Sequence, residues 1–173
     1  MPRNIEIKAR IQSVAALVPV VAALAQQGPV DIMQDDTFFD CPDGRLKLRA
    51  FSPESGELIF YQRANQQGPR ESVYAISPTT APDSLREVLT RAYGQGGRVR
   101  KHRVLFIAGR TRIHLDRVED LGEFLELEVV LQDGEAAEAG VAEAHALMVQ
   151  LGVQSSQLIE AAYVDLLALR QLC

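Results

Sequence analysis

TRIHLDRVEDLGEFLELEVVLQ, running from Thr111 to Gln132, reads as two strands around a short loop. In the first, Arg112, His114 and Asp116 alternate with Ile113 and Leu115. In the second, Glu126 and Glu128 alternate with Leu125, Leu127 and Val129. Period-two alternation puts each set on its own face of a strand. One face is apolar and suits a core. The other gathers Arg, His, Asp and two carboxylates, too dense for a face chosen only to be wet. Glu126 and Glu128 share a side, roughly 7 Å apart along the strand. That spacing suits shared coordination of a hard divalent cation, which prefers oxygen ligands.

The same alternation recurs upstream. Residues 4–11 set Asn4, Glu6, Lys8 and Arg10 against Ile5, Ile7, Ala9 and Ile11. A strand over residues 31–39 sets Gln34, Asp36 and Phe38 on one face, after Gly28-Pro29 has ended a helix capped by Ser13. Pro19 should kink or restart that helix. Arg45, Lys47 and Arg49 alternate with Leu46 and Leu48, and Ile59, Tyr61 and Arg63 share a face. Asn65 to Pro69 reads as loop, residues 71–77 as strand, Ser77 to Asp83 as linker, and Leu85 to Ala92 as helix. Gly94 to Gly97 should break the chain. In the strand 98–108, Lys101 and Arg103 lie on one face, with Arg100 and His102 outside. Ala137, Val141, Ala144, Met148 and Leu151 mark an amphipathic helix, and Ser155 or Ser156 is placed to cap a last one bearing Tyr163. Asp35 and Asp43 read as turn residues, and Tyr61 and Tyr163 as packing residues.

The chain has 173 residues, 47% hydrophobic and 24% charged, which suits one domain spanning 1–173. A net charge of -5 argues against nucleic acid or an anionic membrane as partner. Cys41 and Cys173 stand far apart, with no disulfide framework, as expected in a reducing, cytoplasmic setting. Val14 to Ala25 is apolar throughout yet too short to span a bilayer core of roughly 30 Å. With Asn4 to Arg10 already patterned as a strand, the run reads as a buried helix rather than a signal segment.

A strand with alternating charge is ordinarily a solvated sheet face. Repetition over five or six strands changes that reading, and suggests a closed antiparallel barrel with helices outside, an α+β fold. An acidic protein that collects basic residues on one set of faces is built to hold an anion. The carboxylates among them would hold metal on it, so polyphosphate with Mg2+ or Mn2+ fits both needs. His114 reads as a hydrogen-bonding partner of Asp116 or of a phosphate rather than as a metal ligand or base. So many cations facing one space predict repulsion in the ligand-free barrel.

NIEIKAR, QDDTFF, GRLKLR, ELIFYQR, GPRES, RKHR, TRIHLD, LGEFLELE and the closing AYVDLL together resemble the CYTH superfamily, the triphosphate tunnel metalloenzymes. The resemblance runs nearly the whole chain and is nearest to the class IV adenylyl cyclase-like bacterial branch. It implies an eight-stranded antiparallel barrel whose polar interior grips a triphosphate. The family's Glu-x-Glu-x-Lys signature stands here as Asn4-Ile5-Glu6-Ile7-Lys8, without its first carboxylate. Carried over, Glu6, Glu126 and Glu128 would bind Mg2+ or Mn2+. Lys8, Arg10, Lys47, Arg49, Arg63, Lys101, Arg103 and Arg112 would hold phosphates. Glu6, Lys8, Arg112 and Asp116 would take part in catalysis. The implied substrate is ATP, tripolyphosphate or thiamine triphosphate, and the association state a monomer or homodimer. The activity is adenylyl cyclase if the nucleotide's 3'-hydroxyl attacks, and triphosphatase if water does. The alternative is a polyphosphate or nucleotide-binding module without turnover.

Overall fold

Alternating stretches fold as strands because each can bury one face while wetting the other. They are β1 (Arg3–Ile11), β2 (Gln27–Phe39), β3 (Arg45–Ser52), β4 (Ser55–Arg63), β5 (Arg70–Thr79), β6 (Gln95–Ala108), β7 (Thr111–Val118) and β8 (Gly122–Val130). In this computed structural model, which describes residues 1–63 and 66–173, they close into a barrel in the order β1-β5-β4-β3-β2-β6-β7-β8. Every pairing is antiparallel, with β1 closing the ring between β8 and β5. The eight-stranded antiparallel barrel with flanking helices is therefore the observed fold. Asn65, where the loop reading begins, lies outside the described residues.

The hydrophobic core lies outside the barrel wall, under the helices. Ile5, Ile7, Ile113, Leu115, Leu125 and Leu127 are each 0–1% exposed and pack against Val14 and Val21 of α1 (Val14–Leu24). Ala144 and Met148 of α3 (Ala137–Gln150) cover the same surface. A Cβ on Gly140 would fall 2.6 Å from Ile5 Cγ1, so the missing side chain lets α3 lie directly on β1. Between them in sequence, α2 (Pro82–Tyr93) covers Phe39 and Leu48 with Leu89. With the apolar faces turned outward to the helices, the charged faces must turn in.

Several local expectations change. Helix α1 is not buried all round: Val14 and Val21 are buried while Val20 is 40% exposed, so only one stripe packs. The helix runs through Pro19, and Ser13 Oγ accepts a hydrogen bond from the Ala16 N–H at 3.1 Å. Gly28-Pro29 does not end the helix but sits inside β2, where its register with β6 shifts between Gln27 and Val30. The linker read over Ser77 to Asp83 is mostly taken up by β5 and α2, because Pro78 still pairs with Glu57. The Gly94 to Gly97 break is short, since β6 already starts at Gln95. Ser155 and Ser156 open a 3-10 turn instead of capping the last helix, α4 (Tyr163–Gln171), which starts after Ala162. Asp35 belongs to β2, paired on the outer wall with Arg98 at 2.7 Å, rather than to a turn.

Helix α4 stops one end of the barrel. The Tyr163 ring packs 4.8 Å from that of Phe124, and Val164 fills the space that a Cβ on Gly97 would need, 2.5 Å from Val164 Cγ2. Among the described residues, no helix is long and apolar enough to cross a membrane.

Candidate active site

The barrel encloses a cavity of about 390 Å³. Its wall is assembled from the inward residues of all the strands, which period two selects; the charged and imidazole groups are Glu6 and Lys8 of β1, Asp36 of β2, Lys47 and Arg49 of β3, Glu57 and Arg63 of β4, Lys101 and Arg103 of β6, Arg112 and His114 of β7, and Glu126 and Glu128 of β8. Register explains the grouping of carboxylates, since Glu6 lies directly opposite Glu128, and Lys8 opposite Glu126.

The cations are not bare. At one side Lys47, Arg49 and Lys101 converge on a single carboxylate, Asp36, at 3.3, 2.7 and 3.6 Å. Burial alone would raise the Asp36 carboxyl, but Arg49, Lys47 and Lys101 hold it well below the usual carboxylate range. At the other side Lys8 meets Glu126 at 3.1 Å, Arg103 meets Glu126 at 2.7 Å, and Arg112 meets Glu128 at 2.8 Å. Arg63 stands 3.7 Å from Glu6, whose carboxyl is pushed up by burial and by the neighbouring Glu128. The expected repulsion is thus largely offset within the wall by these carboxylates.

The residual imbalance sits on Lys101, one of three cations on one carboxylate. Burial first, and then Arg103 and Arg49, push its ammonium down to about 7 against the opposing pull of Asp36. The unfolded value is near 10.4. Between these values the unfolded chain holds more protons, so this group makes stability rise with pH from about 7 to 10. An anion beside Nζ would reverse the depression and recharge the lysine. Titration calorimetry of tripolyphosphate at pH 8, in buffers of different ionisation enthalpy, should therefore show more proton uptake by wild type than by Lys101→Met. Equal proton exchange would mean that Lys101 does not meet the anion.

Two residues expected to face the site do not border the cavity. Arg10 shares its strand face with Lys8, yet lies beyond the plug formed by α4. It is exposed, stacks 4.8 Å over Phe124 and donates to the Leu121 carbonyl at 3.3 Å. Asp116 is 0% exposed beneath the floor, where Arg103 grips it through two bonds of 2.7 Å and the Tyr163 hydroxyl donates at 2.9 Å. Its oxygens are occupied in orienting Arg103. His114 is not paired with Asp116 either; its Nδ1 points between Glu126 and Glu128. Arg100 and His102 lie on the outer wall, near Asp35 at 3.5 Å and Asp31 at 2.8 Å.

Other wall residues were read only as packing or passed over. Tyr163 lies under Lys8, with Nζ 3.9 Å from the ring centroid, and Tyr61 faces Lys47 at 5.3 Å and Arg63 at 5.7 Å. These cation–π contacts turn packing residues into part of the wall. Ser72 and Tyr74 of β5 also line it, and could have been found from their period-two spacing. Asn4 lines it too, 3% exposed and opposite Ser72, with an Oδ1 that has no partner among the described residues.

A closed antiparallel barrel with cations and carboxylates paired across its interior defines the class of this protein. The CYTH domain model matches residues 2–163, and the chain belongs to that family. Adenylate cyclase CyaB of Aeromonas hydrophila is 25% identical over 169 residues, covering 92% of this chain and 86% of its own length. The PH1012 protein of Pyrococcus horikoshii OT3 has the same fold, with a TM-score of 0.83 at 20% identity over 94% of this chain and 98% of that one. HpAC1 of Hippeastrum, an adenylyl cyclase candidate with a dominant triphosphatase activity, matches with a TM-score of 0.66 at 16% identity over 97% and 95%.

Proposed function

We propose that the chain is a metal-dependent enzyme that binds a triphosphate inside the barrel and cleaves it. The observation that carries this reading is the paired interior, in which Lys47, Arg49 and Lys101 share one carboxylate while Glu126 and Glu128 stand together across the cavity. Phosphoryl transfer demands little covalent chemistry of a protein, only positioning and stabilisation of spread negative charge. Lys47, Arg49 and Lys101 would take one end of the triphosphate. Lys8, Arg63, Arg103 and Arg112 would take the remainder, leaving Glu126 and Glu128 for a cation. The acidic side fits Mg2+ or Mn2+, because Glu128 keeps one oxygen free of the Arg112 guanidinium and an unpartnered His114 Nδ1 faces it. When bound there, such an ion supplies Lewis-acid neutralisation of phosphate charge. Glu6, opposite Glu128, would add a third carboxylate. Asp116 contributes by holding Arg103 rather than by touching substrate. A cytoplasmic location accompanies this reading, since ATP and other phosphorylated metabolites are its substrate class.

Whether the attacking oxygen is water or a nucleotide 3'-hydroxyl separates triphosphatase from adenylyl cyclase. The deciding experiment measures phosphate release from tripolyphosphate, ATP and thiamine triphosphate, with Mg2+ or Mn2+, alongside cyclic AMP formation. We expect turnover of at least one substrate, abolished by excess EDTA and restored by either ion. Full activity in EDTA rejects the metal-dependent reading. Binding of tripolyphosphate without turnover of any of these compounds supports the second reading, a polyphosphate or nucleotide-binding module. Asn4 favours that second reading, because a neutral amide occupies the place of a signature carboxylate in the wall.

A further inference from the structure

We infer that His114 is a direct ligand of the divalent cation, making the site a mixed nitrogen–oxygen one of His114, Glu126 and Glu128. This rests on the metal-dependent reading above and specifies the chemistry of its metal.

The three side chains offer donor atoms that all lie within 4.8 Å of one another, the one such group of three among the described residues. Nδ1 of His114 is 3.8 Å from Glu126 Oε2 and 3.9 Å from Glu128 Oε1. Those separations are too long for hydrogen bonds. They suit groups that would close around an ion, since neighbouring ligands of a first-row divalent cation stand roughly 3 Å apart at bond lengths near 2.1 Å. The ring is 4% exposed and Nδ1 has no hydrogen-bond partner among the described residues, an arrangement that is costly unless something fills the gap. Glu128 is already oriented for it: Arg112 holds Oε2 at 2.9 Å and leaves Oε1 turned toward the ring. Glu126 is held by Lys8 and Arg103, and would share Oε2 once a phosphate takes up the guanidinium.

An imidazole nitrogen changes which ion the site prefers. Mg2+ favours all-oxygen shells and keeps its waters, whereas a mixed nitrogen–oxygen site suits first-row transition-metal ions, of which Mn2+ is the one that also favours carboxylates. His114 therefore makes the cavity selective for Mn2+ over Mg2+, and the pair of carboxylates alone would not.

The test is pulsed electron paramagnetic resonance on the full chain loaded with Mn2+ and a methylene-bridged triphosphate analogue, which contains no nitrogen. The expected signal is an echo modulation from a directly bound 14N. It should change to the 15N pattern when the three histidines are 15N-labelled. It should persist in His102→Gln and His145→Gln, and vanish in His114→Gln with Mn2+ affinity lower by roughly 10–100-fold or more. The labelled wild type with the two control variants carries the test even if His114→Gln folds poorly. Bound Mn2+ without nitrogen modulation, or a signal lost in His102→Gln or His145→Gln, overturns the ligand assignment and leaves the metal-dependent reading standing. Failure of Mn2+ to bind wild type overturns both.

Discussion

Glu128→Gln should lose metal-dependent triphosphate turnover by about 10²–10³-fold while melting within a few degrees of wild type. The size follows from weakening the cation that Glu128 would hold, and with it one preorganised stabiliser of phosphate charge in the transition state. The substitution preserves shape. It also keeps an oxygen for the Arg112 guanidinium, which approaches Glu128 Oε2 at 2.8–2.9 Å. Arg112 is 36% exposed at its side chain, so water compensates for a weakened pair and the stability change should stay near 1 kcal/mol or less. The packing side of β8 is not involved, since Leu127 and Val129 face the helices at 0% exposure. Phosphate release and a thermal melt, measured on the same preparation, check both halves. Unchanged turnover would remove Glu128 from the site; a collapsed melt would make it a structural residue instead.

Arg103→Ala should cost stability as well as triphosphate binding, with stability falling by about 3–5 kcal/mol because a buried ion pair is broken from one side only. For a chain of this size that is a drop in Tm of roughly 6–20 °C. Arg103 is 4% exposed and makes three bonds of 2.7 Å, two to Asp116 and one to Glu126. Its loss strands Asp116, 0% exposed, with only the Tyr163 hydroxyl and nearby Lys101 to help. Burial opposes the charged form of both carboxylates, but Arg103 and its neighbours hold them below their usual values. Their stabilisation is therefore present above pH about 4 and lost as pH falls through the depressed values. Arg103→Ala should flatten that acid limb as well as lower the plateau. The double variant Arg103→Met with Asp116→Leu should recover much of the melting temperature and none of the triphosphate binding. If Arg103→Ala alone melts like wild type, the floor is solvated and the account of Asp116 fails.

Much of the wall was legible because strand periodicity is local. Lys101 and Arg103 separate from Arg100 and His102 by alternation alone, and the structure sends the first pair inward and the second outward. Gln34, Asp36 and Phe38 behave alike. The same rule gave the outer apolar face of the strands, and helical spacing gave the Ala144 and Met148 stripe of α3 that covers it. What periodicity cannot supply is where a face ends. Arg10 and Lys8 are equivalent along β1, yet α4 fills the barrel between them.

The alternation of residue types in this chain determined that it forms strands with one charged and one hydrocarbon face, and which side chains share each face. Only the tertiary structure decided the order in which the strands meet, because closure requires β1 to pair with both β5 and β8, across contacts far apart in sequence. It decided also that Asp116 serves Arg103 and Tyr163 while His114 looks toward Glu126 and Glu128. Those partners meet through register between strands and the docking of a helix 47 residues downstream, and no local pattern encodes such distances.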